Sequence, residues 1–399
     1  MIPREATAVL RKVAQGYPVV AITGPRQSGK TTLARMVFPE KTYVSLEDPD
    51  QLRFALADPR RFLQGFPHGA VLDEIQRAPE LFSYIQGIVD AHQEPGFFVL
   101  TGSQHFGLLA QISQTLAGRV ALLELLPFSF SELQSAGVNI PSLDHLLFQG
   151  HYPPLYDRHL SPLDWYGDYI QTYVERDVRQ ITAVQNLNLF QTFVRLCAGR
   201  VGQVLDMASL ANDAGVAHNT ASAWVSVLEA SYIVYRLTPH YQNFSKRLIK
   251  RPKLYFYDTG LAARLLGIRT PDEIRYHALR GNLFECWVVS EVRKWNAHNR
   301  QQLALHFWRD HKGREIDLLI DLGGKVVAVE IKSGATITGD FFHGLEYYQH
   351  LAQDHLQQAF LIYGGDQHQT RSIATVLPWN KITLLTDSLV VEPHAISTR

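Results

Sequence analysis

The chain has 399 residues, 38 acidic against 38 basic, with 46% apolar and 19% charged side chains. That length exceeds one ordinary hydrophobic core and implies roughly two to four domains, and the composition is that of a folded chain. Charge balance excludes a global field that would by itself demand nucleic acid, membrane or an acidic substrate, so any basic surface has to be local.

The N-terminal stretch MIPREATAVLRKV lacks the apolar run of a signal peptide. The most apolar segment, Val120 to Phe130, is too short to span a bilayer and carries Glu124 and Pro127. A cytoplasmic location is expected. Cys197 and Cys286 stand far apart in apolar surroundings and are expected as buried thiols, since two such residues make neither a disulfide framework nor a zinc site.

The first third alternates short apolar runs, Val19–Thr23, Lys41–Leu46, Ala70–Asp73 and Phe97–Thr101, with helical patterns. Such spacing predicts a parallel sheet buried on both faces. From Leu143 to about Ala198 the pattern is helical, with Ile170, Tyr173, Val174, Val178 and Ile181 at helical spacing and Glu175, Arg176, Asp177 and Arg179 on other faces. A compact helical stretch follows from Gly199 to about Tyr232, then a basic segment, Ser245–Lys253. From about Pro271 come a helix, strands Ile316–Asp321 and Lys325–Lys332, a helix near Asp340–Gln353 and a strand at Phe360–Tyr363. The expected fold is α/β and multidomain. Residues 1–135 form a parallel-sheet core, 136–195 a helical lid-like segment, 196–268 a helix-turn-helix unit and 269–399 a second α/β unit.

Gly24-Pro25-Arg26-Gln27-Ser28-Gly29-Lys30-Thr31 matches G-x-x-x-x-G-K-[ST], with VVAIT before it and the helical TTLARMVF after it. Glycines let backbone N–H groups wrap phosphates, and the helix N-terminus adds positive potential. Residues Gly24 through Thr32 are therefore expected to hold ATP. Lys30 would reach the β and γ phosphates and Thr31 would offer a hydroxyl to magnesium. The partner acid comes at the end of Ala70–Asp73. Asp73 would hold the metal, directly or through water, and Glu74 would polarise the attacking water. Thr101, Ser103 or Gln104, after the run FFVLT, could orient that water or touch the γ phosphate. Arg119 reads as an arginine finger or sensor, or as a surface ion pair.

On the motifs GPRQSGKTT, VLDEIQ, VLTGSQ, LAGRV, LPFSFSEL, YVERD at Tyr173–Asp177 and GNLFE at Gly281–Glu285, the chain resembles the AAA+ ATPases, in particular a bacterial and archaeal group whose C-terminal domain was long of unknown function. The resemblance covers nearly the whole chain. It implies an AAA+ P-loop core, a winged-helix segment and a nuclease-like C-terminal domain. A ring or other homo-oligomer is also implied, with an arginine reaching a neighbour's nucleotide. Guanine specificity is disfavoured, because Asn380-Lys381-Ile382-Thr383 lacks the aspartate of an N-K-x-D box.

In the middle segment, two short helices around Gly215, followed by the strand-like IVYRL, have the form of a winged helix-turn-helix. The second helix would present His218, Asn219 and Thr220 to DNA, and Lys246, Arg247, Lys250, Arg251 and Lys253 would meet phosphates from the wing. Such a module could equally serve for packing alone. The last segment carries Asp317 on one strand and Glu330-Ile331-Lys332 on the next. Period two puts Glu330 and Lys332 on one face. If Asp317 faces them, it can share a divalent metal with Glu330 while Lys332 activates water or stabilises the developing phosphorane charge, and Glu285 on the upstream helix could add a third carboxylate. This arrangement resembles the PD-(D/E)XK nucleases, which implies magnesium- or manganese-dependent cleavage of nucleic acid, with Gln349 as a weak auxiliary position.

Two functions follow. One is an ATP-hydrolysing protein that binds and processes DNA. The other is a nucleotide-gated switch or scaffold whose nuclease-like domain binds without cutting. A small-molecule P-loop kinase fits poorly, because the DNA-like modules would have no role.

Overall fold

The computed structural model describes residues 2–103, 112, 114–174, 186–240 and 249–389. Gln104, Glu175 to Arg179, Ile181, Lys246 and Arg247, all named from the sequence, lie outside the described residues.

The N-terminal sheet has five parallel strands: β1 (Val19–Thr23), β2 (Thr42–Ser45), β3 (Ala70–Asp73), β4 (Phe98–Gly102) and β5 (Val120–Glu124), in the order β2-β3-β4-β1-β5. Val19 pairs in register with Phe98 on one side and Val120 on the other. The alternating side chains of β1 enter two different cores. Val19 and Ala21 pack with Leu72, Phe82, Ile85 and Leu100, whereas Val20 and Ile22 pack with Leu10, Leu33, Val99 and Leu123. Helices α1 (Ala6–Ala14) and α2 (Lys30–Val37) contribute to the second core. A strand covered on both faces has no solvent side, which is why the sequence reads as unbroken apolar runs. Strand β4 sits between β1 and β3, so the carboxyl ends of all three meet at one edge of the sheet.

The second sheet is mixed and has nine strands. Helices α3 (Leu187–Ala198), α4 (Met207–Asp213) and α5 (His218–Ala230) accompany its first strands, β6 (Gln203–Val204), β7 (Val234–Pro239) and β8 (Lys253–Phe256). After α6 (Arg280–His298) come β9 (Ala304–Arg309), β10 (Glu315–Asp321) and β11 (Val326–Lys332). Helix α7 (His343–Ala352) precedes β12 (Leu356–Tyr363), β13 (Gln369–Thr370) and β14 (Thr375–Pro378). The spatial order is β13-β14-β12-β11-β10-β9-β7-β8-β6. The antiparallel three β7, β8 and β6 therefore joins the C-terminal strands through a short parallel pairing, Thr238 with His306 and Pro239 with Phe307.

One apolar core follows that continuity and runs from Leu126 and Phe128 through Phe190, Trp224 and Trp287 to Leu389. A second gathers Trp308, Leu319, Leu345 and Leu361. Helix α6, of 19 residues, packs against β5 of the first sheet and against β8 and β11 of the second. Cys197 and Cys286 are both free and buried, and burial pushes both thiols up to about 12. Among the described residues no helix is long and apolar enough to cross a membrane.

Candidate functional site

At the shared carboxyl edge of the first sheet, the loop from Gly24 to Gly29 joins β1 to α2. Gly24 has φ 144°, and a Cβ there would lie 2.1 Å from the Leu125 carbonyl oxygen, so no side chain fits. Gln27 (φ 65°) and Gly29 (φ 91°) are also left-handed, which curls the loop before the helix. Lys30 is buried beneath it, and its Nζ donates to the carbonyls of Gly24 at 3.0 Å and Pro25 at 2.7 Å. The cleft beside the loop holds about 480 Å³ and is lined by Arg26, Gln27, Gly29, Lys30, Thr31 and Thr32, among others.

The hydroxyl of Thr31 at the start of α2 donates to Asp73 at the end of β3, with Oγ1 lying 3.0 and 3.1 Å from the two carboxylate oxygens. Tyr43 on β2 donates to the same carboxylate at 2.8 Å, and Thr101 on β4 donates to it from the strand between. Burial, then the adjacent Asp73, pushes the Tyr43 hydroxyl up to about 12, so it remains a donor. Thr31 and Asp73 form an oxygen-only donor pair, which suits magnesium. Glu74 adopts a left-handed conformation, φ 55° and ψ 44°, and accepts from Ser103 Oγ at 3.0 Å and from the Gln76 amide. Non-glycine strain of this kind concentrates at functional sites.

The structure thus brings Lys30, Thr31, Asp73, Glu74 and Ser103 to one edge. Two sequence-named neighbours have other partners. Thr101 donates to Asp73, and Arg119 stands at the opposite, amino-terminal end of β5. There it pairs with Asp90, one contact being 2.9 Å, and it cannot reach the cleft of its own chain.

Arg4 was not legible in the sequence as part of this site. It is 7% exposed and spends its whole fork on buried acceptors: Ser28 O at 2.6 Å, Leu126 O at 2.6 Å and Glu132 Oε1 at 3.0 Å. His298, at the end of α6, joins this group by accepting from the Leu126 N–H at 3.1 Å. Burial, the largest effect, lowers its pKa to about 4, so it is neutral.

The second constellation lies where β8, β10, β11 and α6 converge. Glu285, Glu315 and Asp317 offer carboxylate oxygens all within 4.8 Å of one another. Glu315 was missed, although it stands two residues from Asp317 on β10 and so shares its face. Glu330 sits beside these groups, with Lys332 Nζ donating to its Oε1 at 2.5 Å and its Oε2 buried with no hydrogen-bond partner among the described residues. Asp317 accepts from the Ile331 N–H at 2.8 Å. Burial, then Asp317, raises the pKa of Glu330. Burial raises that of Glu285 too, against the pull of Lys253.

Lys253 requires a correction. The sequence placed it on a solvated wing, yet it is 2% exposed and points inward from β8. Its Nζ donates to Glu285 at 2.6 Å, pairs closely with Glu315 and lies 3.9 Å from Asp317. Tyr255, on the same face of β8, donates to Glu285 at 2.5 Å. By donor chemistry the three carboxylates suit a divalent ion, but an ammonium already stands among them. A metal and Lys253 do not fit together there.

At the third candidate set, His218 and Asn219 are exposed and Thr220 is half-buried at the start of α5. Lys250 and Arg251 are exposed, and Arg251 pairs with Asp206.

Residues 16–134 match the AAA domain family, residues 140–272 a domain of unknown function (DUF8612) and residues 280–382 another (DUF4143). The uncharacterized proteins Mb2031c of Mycobacterium bovis and Rv2008c of Mycobacterium tuberculosis are each 35% identical over 338 residues, covering 84% of this chain and 74% of theirs. Among solved structures, the Walker-type ATPase paby2304 of Pyrococcus abyssi is similar at 15% identity and a TM-score of 0.46, covering 66% of this chain and 96% of that one.

Proposed function

The chain belongs to the same family as those two mycobacterial proteins and carries an AAA domain at residues 16–134, and from that premise we propose that it hydrolyses ATP and couples turnover to contact with DNA. The observation that carries the first half is the single edge at which Lys30, the Thr31–Asp73 pair and Glu74 meet.

The loop amides and the N-terminus of α2 receive the phosphates. Lys30 exchanges the carbonyls of Gly24 and Pro25 for phosphate oxygens, which accept its charge better. Thr31 and Asp73 would hold magnesium, which would supply neutralisation of phosphate charge. Glu74 takes a proton from the attacking water, and Ser103 fixes the orientation of that carboxylate. Ile2, Phe128, Pro153 and Pro154, on the wall of the same cleft, suit the faces of a purine. A neighbouring copy in a homo-oligomer would supply the arginine, and Arg119 is the candidate because its own cleft is out of reach.

The second half rests on the order α3, β6, α4, α5, β7, β8, which is that of a winged helix, with α5 as the reading helix and His218, Asn219 and Thr220 at its exposed start. For the nuclease-like unit, the position of Lys253 favours binding of DNA or a partner without cleavage.

ATP hydrolysis measured with and without linear, single-stranded and branched DNA tests the reading. Wild type should turn over ATP and respond to at least one DNA. Lys30→Ala should lose nucleotide binding, and Glu74→Gln should bind but turn over roughly a hundredfold or more slowly. Unchanged turnover in both variants would remove the assignment.

A further inference from the structure

We infer that Lys253 is the resident cation of the Glu285–Glu315–Asp317 centre, and that this centre accepts a divalent metal only when that ammonium is removed. The inference rests on the reading of Glu285, Asp317, Glu330 and Lys332 as a nuclease-like site, and it states which cation occupies that site.

Three observations carry it. The first is position. Lys253 Nζ lies 2.6 Å from Glu285 Oε1, is in close contact with Glu315 and is 3.9 Å from Asp317. These are the carboxylates whose oxygens cluster tightly enough to share an ion. A metal bound to the same oxygens would sit within a few ångströms of a fixed positive charge, and in a buried site that repulsion is poorly screened.

The second is how firmly the lysine is held. Its side chain is 3% exposed, it lies 5.6 Å from the face of Phe307, and its strand is paired on both sides, by β7 and β6. Tyr255 closes the same face from the next inward position of β8 and donates to Glu285, so one carboxylate oxygen already accepts two hydrogen bonds. Snorkelling to solvent, the usual escape of a lysine, would require β8 to move.

The third is charge. Glu285, Glu315, Asp317 and Glu330 are opposed by Lys253, Lys332 and Arg309, the last 3.2 Å from Glu315. The protein's own cations nearly balance the centre, which leaves little to attract a further double charge.

The test uses the full chain without nucleotide, titrated with Mn2+ and followed by the EPR signal of free Mn2+. Wild type and Asp317→Asn should bind Mn2+ alike, because the centre takes none. Lys253→Met, which keeps the length and apolar stem, should gain one Mn2+ per chain. That ion should be held more tightly than any in wild type by roughly tenfold or more. Adding Asp317→Asn should abolish the gain, and Lys253→Arg should show none. Thermal unfolding gives a second readout, with Mn2+ raising the Tm of Lys253→Met and not of wild type.

An Mn2+ site in wild type that Asp317→Asn removes overturns the inference while leaving the nuclease-like reading intact. A folded Lys253→Met that gains no Mn2+ overturns the nuclease-like reading and the inference with it. If Lys253→Met does not fold, the comparison of wild type with Asp317→Asn still decides whether the native centre takes Mn2+, which is the result that overturns the inference.

Discussion

Arg4 donates through Nη1 to the carbonyl of Ser28 at 2.6 Å, so a residue preceding the first helix holds the backbone of the phosphate loop from behind. The same guanidinium pairs with Glu132, which is 2% exposed, and lies 3.4 Å from the ring of His298 at the end of α6. That helix carries Glu285 near its other end, about 20 Å away at 1.5 Å per residue. One rigid element therefore spans the distance between the phosphate loop and the acidic centre.

Removing the guanidinium strands a buried carboxylate and a loop carbonyl together. Arg4→Met is expected to destabilise the fold by about 3–5 kcal/mol, as breaking a buried pair does, and to weaken ATP binding. Arg4→Lys should recover little, because one ammonium cannot satisfy three divergent acceptors. Pairing Arg4→Met with Glu132→Gln should restore part of the stability but not the nucleotide affinity, since Ser28 stays unsupported. Denaturant unfolding and nucleotide titration on the same four proteins separate the two effects. If the single variant unfolds like wild type, the buried pair contributes nothing.

The same cluster sets a pH dependence. His298 has a folded pKa of about 4 against an ordinary value of 6.5, so the unfolded chain takes the proton first as pH falls. Its contribution is fully present above pH 6.5 and is lost as the pH falls toward 4. The total is on the order of 3 kcal/mol, since a tenfold difference in proton affinity between the folded and unfolded chain is worth about 1.4 kcal/mol. Arg4 and Lys294 face the ring and hold the proton off, Glu132 attracts it, and Glu5, whose carboxyl burial raises, works in the opposite sense on acidification. His298→Gln can still accept from the Leu126 N–H but does not titrate. Its unfolding free energy should vary less between pH 6.5 and 4 than that of wild type. Parallel curves would assign the acid sensitivity to other groups.

Tyr43 is the least expected member of the proposed nucleotide site. Its hydroxyl fixes the carboxylate of Asp73 at 2.8 Å from a strand with no motif of its own. Tyr43→Phe removes one hydrogen bond and keeps the packing, which amounts to about 0.5–1.5 kcal/mol. The magnesium concentration for half-maximal ATPase activity should rise roughly two- to tenfold, with less change in turnover at saturating magnesium. A change confined to turnover would mean that Tyr43 acts on chemistry and not on the metal's ligand.

Legibility in the sequence followed the range of the interactions. The phosphate loop is eight contiguous residues whose chemistry is local, and Asp73 and Glu74 close a strand that could only be buried, so these were readable. Arg4 and Tyr43 act on partners 24 and 30 positions away, and nothing in their neighbourhoods marks them. Lys253 was misread because it ends a basic run, and such runs are usually solvated. Its own strand held the contrary signal, since Lys253-Leu254-Tyr255-Phe256 is buried throughout. Strand β5 was read only as an apolar stretch with Glu124 in it. The pairing of β7 with β9, which fuses the middle segment to the C-terminal sheet, involves only two residues on each side and leaves no periodic trace.

The proposed DNA contact by α5 and the residues before β8 can be tested by salt. Each phosphate contact that is lost lowers the slope of log affinity against log salt by about 0.9 for duplex DNA. Lys250 and Arg251 are exposed just before β8, and Lys250→Ala and Arg251→Ala should each reduce the slope by about that amount while weakening all sequences alike. Arg251 must leave Asp206 to reach a phosphate, so its affinity loss should be the smaller. Asn219→Ala, at the exposed start of α5, should leave the slope unchanged and flatten discrimination between sites, because an amide reads base edges and carries no charge. Lys250→Ala and Arg251→Ala proteins that bind with the wild-type slope would show that this face packs or docks something other than DNA.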